Sequence, residues 1–251
     1  MRGLRQIPAV CSVGRILGER RCLACTRPFV PETAERFCPE CALALPRRRA
    51  AFCPVCGEIY DGGLEGICPP CQEQRPPWGK IFFHGLYDGL LRGLILRLKF
   101  GGELHQAHGL ALLLAANPEL AEASSVYDVI VPIPLHKSRL IERGFNQSGE
   151  IARHLGKELN LPPLPGLERA LPTRHQIGLS RRERVSNLRR AFNVSKNITE
   201  KKILLLDDVM TTGATLGSAA RSLLDGGAAA VDVVVPARTR ARNMLRESRS
   251  L

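Results

Sequence analysis

The sequence predicts an α/β fold, a parallel sheet covered by helices, preceded by a cysteine-rich module that folds around metal. Three observations lead there. After residue 80, short runs rich in Val, Ile and Leu alternate with stretches of helical periodicity. Eight of the nine cysteines crowd between Cys22 and Cys71, and none follows. One apolar run, 202–206, ends on two adjacent carboxylates, Asp207 and Asp208. At 251 residues and 44% hydrophobic, the chain can bury one core domain and carry an appendage. Only 5% is aromatic, so the core must be aliphatic.

The cysteines form four C-x-x-C pairs: Cys22/Cys25, Cys38/Cys41, Cys53/Cys56 and Cys68/Cys71. Twelve residues separate the first two pairs and eleven the last two, an internal repeat of about 30 residues. A two-residue spacer lets both sulfurs of a pair face one ion, and four cysteine sulfurs are a usual structural zinc site. Prolines after Cys38, Cys53 and Cys68 stiffen the turns, and Gly57 can take the positive φ of a tight knuckle. One or two zinc ions are expected. Either consecutive pairs share an ion, or the first pair joins the third in a cross-brace. A redox pair would need a single C-x-x-C at a βα junction, and a disulfide framework would need secretion. Cys11 is left as an ordinary thiol. Residues 72–79 read as a linker, giving an N-terminal segment 1–79 with the double zinc-ribbon-like core at 22–71, and a second domain at 80–251. Loosening the module through Cys53 and Cys56 is expected to leave residues 81–236 folded.

In the second domain, 81–84 reads as a short strand, 106–116 as a helix and 126–134 as a buried strand ending at proline. Phe145, Ile151, Leu155 and Leu159 suggest a helix over 146–160. Residues 202–206 are a continuous apolar strand. Leu216, Ala219, Ala220, Leu223 and Leu224 mark a helix stopped by Gly226 and Gly227. Residues 231–235 form a last strand, and the segment from Arg238 onward reads as a frayed or helical, solvated tail.

The segment 204–216 carries the chemistry. A strand ends in Asp207 and Asp208, a Thr-Thr-Gly loop follows, and a helix begins near Thr215. Ligands of open α/β sheets sit at the carboxyl ends of strands. A helix N-terminus offers N–H groups and a positive dipole end to phosphate. Gly213 lets backbone approach an anion, and the hydroxyls of Thr211, Thr212 and Thr215 can donate to it. The carboxylates can accept from vicinal hydroxyls or act through Mg²⁺. Together these groups suit a ribose carrying a 5′-phosphate. A Walker-B strand would require a G-x-x-x-x-G-K-[ST] loop upstream, and none exists in the chain.

The formal net charge is +12, unevenly spread. Between Arg174 and Arg190 lie six arginines and one acid, and from Ala237 onward five arginines and one acid. Such stripes favour polyanionic partners. Arginines interrupt the N-terminus, so no signal peptide is expected. No run approaches the roughly 20 apolar residues of a membrane span. The expected location is the cytoplasm, without membrane insertion.

The Asp207–Leu216 segment closely resembles the phosphoribosyl-pyrophosphate loop of type I phosphoribosyltransferases. Nearly the whole chain resembles the ComF family, competence-associated proteins of the ComFC and GntX type. The likeness rests on the cysteine module, Tyr87-Asp88-Gly89, Leu98-Lys99-Phe100, Val131-Pro132-Ile133-Pro134, Arg143-Gly144-Phe145-Asn146-Gln147 and Gln176 through Asn187 before Ala191-Phe192. The resemblance implies a type I phosphoribosyltransferase-like sheet. It implies that Asp207 and Asp208 take the ribose hydroxyls of phosphoribosyl pyrophosphate. Thr211, Thr212, Gly213, Ala214 and Thr215 would hold the 5′-phosphate. His136, Lys137 and Arg139 would sit on the pyrophosphate side, and 174–190 would be a closing loop. The family setting implies DNA uptake and natural transformation, with single-stranded DNA and proteins of the uptake machinery as partners.

Two functions follow as expectations. One is a ligand-binding protein that handles single-stranded DNA. The other is an active phosphoribosyltransferase, amidophosphoribosyltransferase-like but without a glutaminase half, acting on an unidentified nucleophile. Few aromatics are available for base stacking, so phosphate contacts should dominate DNA binding. No catalytic residue can be named.

Overall fold

The computed structural model describes residues 18–48, 51–59, 66–169 and 191–240. The segment 170–190, with its six arginines, and the tail 241–251 lie outside the described residues. The chain divides into two compact units, Met1–Pro46 and Arg47–Leu251. The second pair of C-x-x-C motifs therefore belongs with the sheet domain, a division earlier in the chain than composition suggests.

The smaller unit holds a two-stranded antiparallel ribbon, β1 (Arg20–Arg21) and β2 (Pro28–Phe29), and a short helix α1 (Pro39–Leu43) that starts at Cys38. Its described interior is mostly cysteine: Cys22, Cys38 and Cys41 are buried, with Ala24 and Leu45.

The larger unit opens on the second cysteine repeat, with α2 (Pro69–Glu73) matching α1 in starting beside a Cys-Pro step. The sheet is built from β3 (Ile81–Leu86), β4 (Val129–Pro132), β7 (Lys202–Leu206) and β9 (Ala230–Arg238), in the order β3-β9-β7-β4, all parallel. A short β8 (Val209–Met210) pairs in parallel with β9 beyond the end of β7. A small antiparallel pair, β5 (Leu167–Arg169) and β6 (Phe192–Val194), stands beside the sheet. Strands buried on both faces need near-continuous apolar runs, and Ile203–Leu206 and Val233–Val235 supply them.

Alternation divides the strand side chains between two faces. Val129, Val131, Ile203, Leu205, Val231, Val233 and Val235 form one core with Leu216, Ala219, Ala220 and Leu223 of helix α8 (Ala214–Asp225). The other face meets α4 (His105–Ala115) and α7 (Gln147–Glu158), which pack on each other and on β9 and β4. Helices α3 (Gly89–Gly101), α5 (Pro118–Ala123) and α6 (Lys137–Arg143) fill the connections. The expected strands and helices are all present. Helix α3 was not foreseen, although Leu91, Leu94, Ile95 and Leu98 recur at helical spacing and are all buried.

Two corrections bear on the site. Residues 72–79 are not a linker. Trp78 is 8% exposed within the main core, and its indole N–H donates to the Val55 carbonyl at 2.7 Å. Nor does the basic tail begin at Arg238. Arg238 closes β9, is buried, and bonds the Cys56 carbonyl at 2.6 Å and the Glu58 carboxylate at 2.5 Å. The left-handed φ of 72° expected at Gly57 is present, and a Cβ there would lie 2.9 Å from both Arg238 and Phe83.

Candidate functional site

The site forms where β7 and β4 end side by side, with Pro132 opposite Leu206. Ile133 N–H still bonds the Leu206 carbonyl at 2.8 Å, and Asp207 N–H bonds Val234 at 3.2 Å. The sheet thus fixes the backbone up to the two carboxylates and then releases it. Asp208 is 4% exposed, and its carboxylate pairs with the Lys99 ammonium at 3.0 Å. Asp207 is half-buried; its Oδ1 accepts from the Ser148 hydroxyl at 3.0 Å and from Asp208 N–H at 2.9 Å. Burial, reinforced by the charge of Asp208, pushes the Asp207 carboxyl up to about 7, against the pull of those donors and of Lys99. Among the described residues one cation serves the two carboxylates, which leaves the pair a receptor for donors or for a further cation.

After β8 the chain turns at Gly213, whose φ of 76° lies in the left-handed region, and enters α8. A Cβ at Gly213 would stand 2.9 Å from Met210 Cε and 3.2 Å from the Trp78 ring, so the loop lies directly on that tryptophan. Thr211, Thr212 and Ala214 are exposed, and Thr215 is half-buried. Thr212 Oγ1 accepts from Ala214 N–H at 3.3 Å, tightening the turn in front of the helix.

On the β4 side, His136 caps α6 by accepting from Ser138 N–H at 3.3 Å. Its Nε2 is buried without a hydrogen-bond partner among the described residues. Lys137 is exposed at the first position of α6. Gly144 ends that helix in the left-handed region, and Asn146 starts the next. The Asn146 side chain accepts from Ser148 N–H at 3.1 Å and donates to the Ile133 carbonyl at 3.0 Å. That double use fastens α7 to the end of β4 and so delivers Ser148 to Asp207.

Sequence reasoning missed Lys99 and Ser148 as partners of the carboxylates. Lys99 follows the Leu91–Leu98 periodicity, which would have placed it near the end of a helix. Asn146 is a recognisable cap, with Ser148 just behind it.

Against this geometry, the comparisons with known proteins are specific. The family described as phosphoribosyl transferase domain matches residues 143–249. Competence protein F of Haemophilus influenzae is 33% identical over 168 residues, covering 64% of this chain and 73% of that protein. The DNA utilization protein YhgH of Escherichia coli K12 is 34% identical over 171 residues, covering 66% and 75%. The chain belongs to the ComF family. The competence protein ComFC of Bacillus subtilis is 34% identical over 150 residues, covering 57% of this ComF-family chain and 58% of its own.

The cysteines of this ComF-family protein resolve the pairing left open above. Cys22, Cys25, Cys38 and Cys41 form one cluster and Cys53, Cys56, Cys68 and Cys71 another, with all sulfurs of a cluster within 4.8 Å of one another. Consecutive pairs join, and the cross-brace is excluded. Cys25 and Cys38 sulfurs are 3.8 Å apart, and Cys56 and Cys68 sulfurs 3.6 Å. A tetrahedron with Zn–S arms of about 2.3 Å has edges of about 3.8 Å. Backbone N–H groups of Cys38 and Cys68 point at the sulfurs of Cys22 and Cys53, at 3.3 and 3.4 Å. Each cluster can therefore hold one metal ion. Among the described residues no helix is long and apolar enough to cross a membrane.

Proposed function

We propose that this ComF-family protein binds phosphoribosyl pyrophosphate together with Mg²⁺ and handles single-stranded DNA during uptake or use of DNA in the cytoplasm. The observation that carries the reading is the Asp207–Asp208 pair at the end of β7, followed at once by the Gly213 turn into α8. Asp207 and Asp208 would take the ribose hydroxyls. Thr211, Thr212, Gly213, Ala214 and Thr215 would surround the 5′-phosphate at the helix N-terminus. Lys137 and the Nε2 of His136, which has no partner among the described residues, lie on the neighbouring strand end, where the pyrophosphate would extend. Mg²⁺ would supply charge neutralisation to that pyrophosphate. Zinc, one ion for each cysteine cluster, is the metal the sulfur geometry suits. The relatives named for competence and for DNA utilization support the DNA setting, as does the net charge of +12. Protein partners would come from the same uptake machinery.

Calorimetric titration with phosphoribosyl pyrophosphate, with and without Mg²⁺, tests the site. Binding is expected for the wild type and lost in the double variant Asp207→Asn, Asp208→Asn, which should remain folded; equal affinity in the two would refute the assignment. Release of pyrophosphate on adding candidate nucleophiles would turn the reading toward an active transferase. Anisotropy with a labelled single strand should give a log–log salt slope of about −0.7 for each phosphate contacted. No binding at low salt would remove the DNA reading.

A further inference from the structure

We propose that the exposed face of Phe100 is a stacking platform for one unpaired base of a single DNA strand, placed beside the Asp207–Asp208 site. The inference rests on the single-strand reading above and assigns that strand a place on the molecule.

Phe100 is the penultimate residue of α3 and is 75% exposed, among the most open large apolar side chains in the described structure. Leaving a phenylalanine in water forgoes a large burial gain, so its setting matters. The ring forms part of a cleft of about 360 Å³ lined also by Lys99, Arg139, Glu142, Arg143 and Gln147. Lys99 is already paired with Asp208, but Arg139 and Arg143 against the single carboxylate of Glu142 still leave the lining attractive to phosphate. The Arg143 guanidinium lies 5.3 Å from the ring centroid, within cation–π range, and Gln147 Oε1 accepts from it at 2.7 Å. Phe100 is therefore oriented by a positioned arginine, and three-quarters of it remains open to solvent.

An aromatic face inside a basic cleft fits a single strand specifically. Bases stack on the ring in a sequence-tolerant way, and the phosphates that link them take the cations. A duplex hides its base faces and would gain only the phosphate contacts. The cleft also adjoins the carboxylate site. Lys99 lines it and pairs with Asp208, while Gln147 lines it and precedes Ser148, the donor to Asp207. A base on Phe100 would lie next to whatever occupies the ribose phosphate site.

The test compares a labelled oligodeoxyadenylate of about 12 nucleotides with an abasic strand of equal length, by anisotropy on the full-length protein. The wild type should prefer the intact strand by about tenfold, within the worth of one stacked base. Phe100→Ala should erase that preference and leave affinity for the abasic strand unchanged; Phe100→Trp should keep it. Because the side chain is exposed, the truncation spares the core. Equal affinity for both strands in the wild type, or an undiminished preference in Phe100→Ala, would overturn the platform while leaving phosphate binding in place. Failure of both strands to bind at low salt would instead remove the single-strand reading. Phe100-dependent binding of free adenosine, with no dependence for the strand, would also overturn the proposal.

Discussion

A carboxyl group half-hidden next to another carboxylate gives up its proton late, and at Asp207 this has a sign that can be checked. The folded protein holds that proton up to about 7, whereas the unfolded chain releases it near 3.8. Between these values the folded state binds more protons, so this residue subtracts stability as pH rises, with the full cost present above about 7. Asn at this position keeps an Oδ1 acceptor for the Ser148 hydroxyl and for Asp208 N–H, and it never ionises. Asp207→Asn is therefore expected to be more stable than the wild type at pH 8, by on the order of 2 kcal/mol. The gap should shrink on titrating toward pH 4, as followed by denaturant unfolding across that range. A variant less stable at pH 8 would show that the Asp207 charge is compensated better than its neighbours indicate. Under the proposed function the same substitution should also cost ligand affinity, an exchange of stability for binding.

The turn from β7 into α8 shows how an element builds the site. Gly213 takes a φ of 76° and rests against Met210 and Trp78. Gly213→Ala adds a left-handed penalty of about 1–2 kcal/mol and pushes on both neighbours. Its melting temperature is expected to fall by about 2–8 °C. Calorimetry should show phosphoribosyl pyrophosphate affinity falling with it, because the displaced backbone is the part proposed to face the 5′-phosphate. An unchanged melting temperature would mean that the turn relaxes freely. This element was legible in the sequence because its signals are local: a fully apolar strand, paired acids, a Thr-Thr-Gly turn and an amphipathic helix follow one another. Lys99 and Ser148 were not, since they reach the acids only through folding; Ser148 lies 59 positions from its partner. Helix α3 carried its apolar period, but Gly89, Gly93 and Gly101 blunt it. Trp78 was hidden by its Pro-Pro-Trp-Gly setting, which reads as loop until Val55 supplies a carbonyl for the indole.

At the scale of the whole molecule, the two cysteine clusters look alike in sequence and differ in what they hold together. The first belongs to the unit ending at Pro46. The second is joined to the sheet domain: Cys56 packs on its core, and Arg238 at the end of β9 bonds the Cys56 carbonyl. The earlier expectation for Cys53 and Cys56 is accordingly reversed. Replacing both with Ser should destabilise residues 81–236 as well, by more than about 3 kcal/mol, while Cys22→Ser with Cys25→Ser should leave the sheet domain's unfolding transition in place. Hydrogen exchange on the core strands distinguishes these outcomes, and full protection in the Cys53/Cys56 variant would contradict the coupling. Trp78, the sole tryptophan of the sequence, stands at this junction, its N–H on the knuckle between Cys53 and Cys56 and its ring beneath Gly213. Its fluorescence is therefore expected to respond to metal added at the second cysteine cluster and to a ligand added at the Gly213 loop. Under the proposed metal and ligand binding, a preparation partly stripped of metal should show two optical populations, and ligand titrations should be compared at a stated metal content.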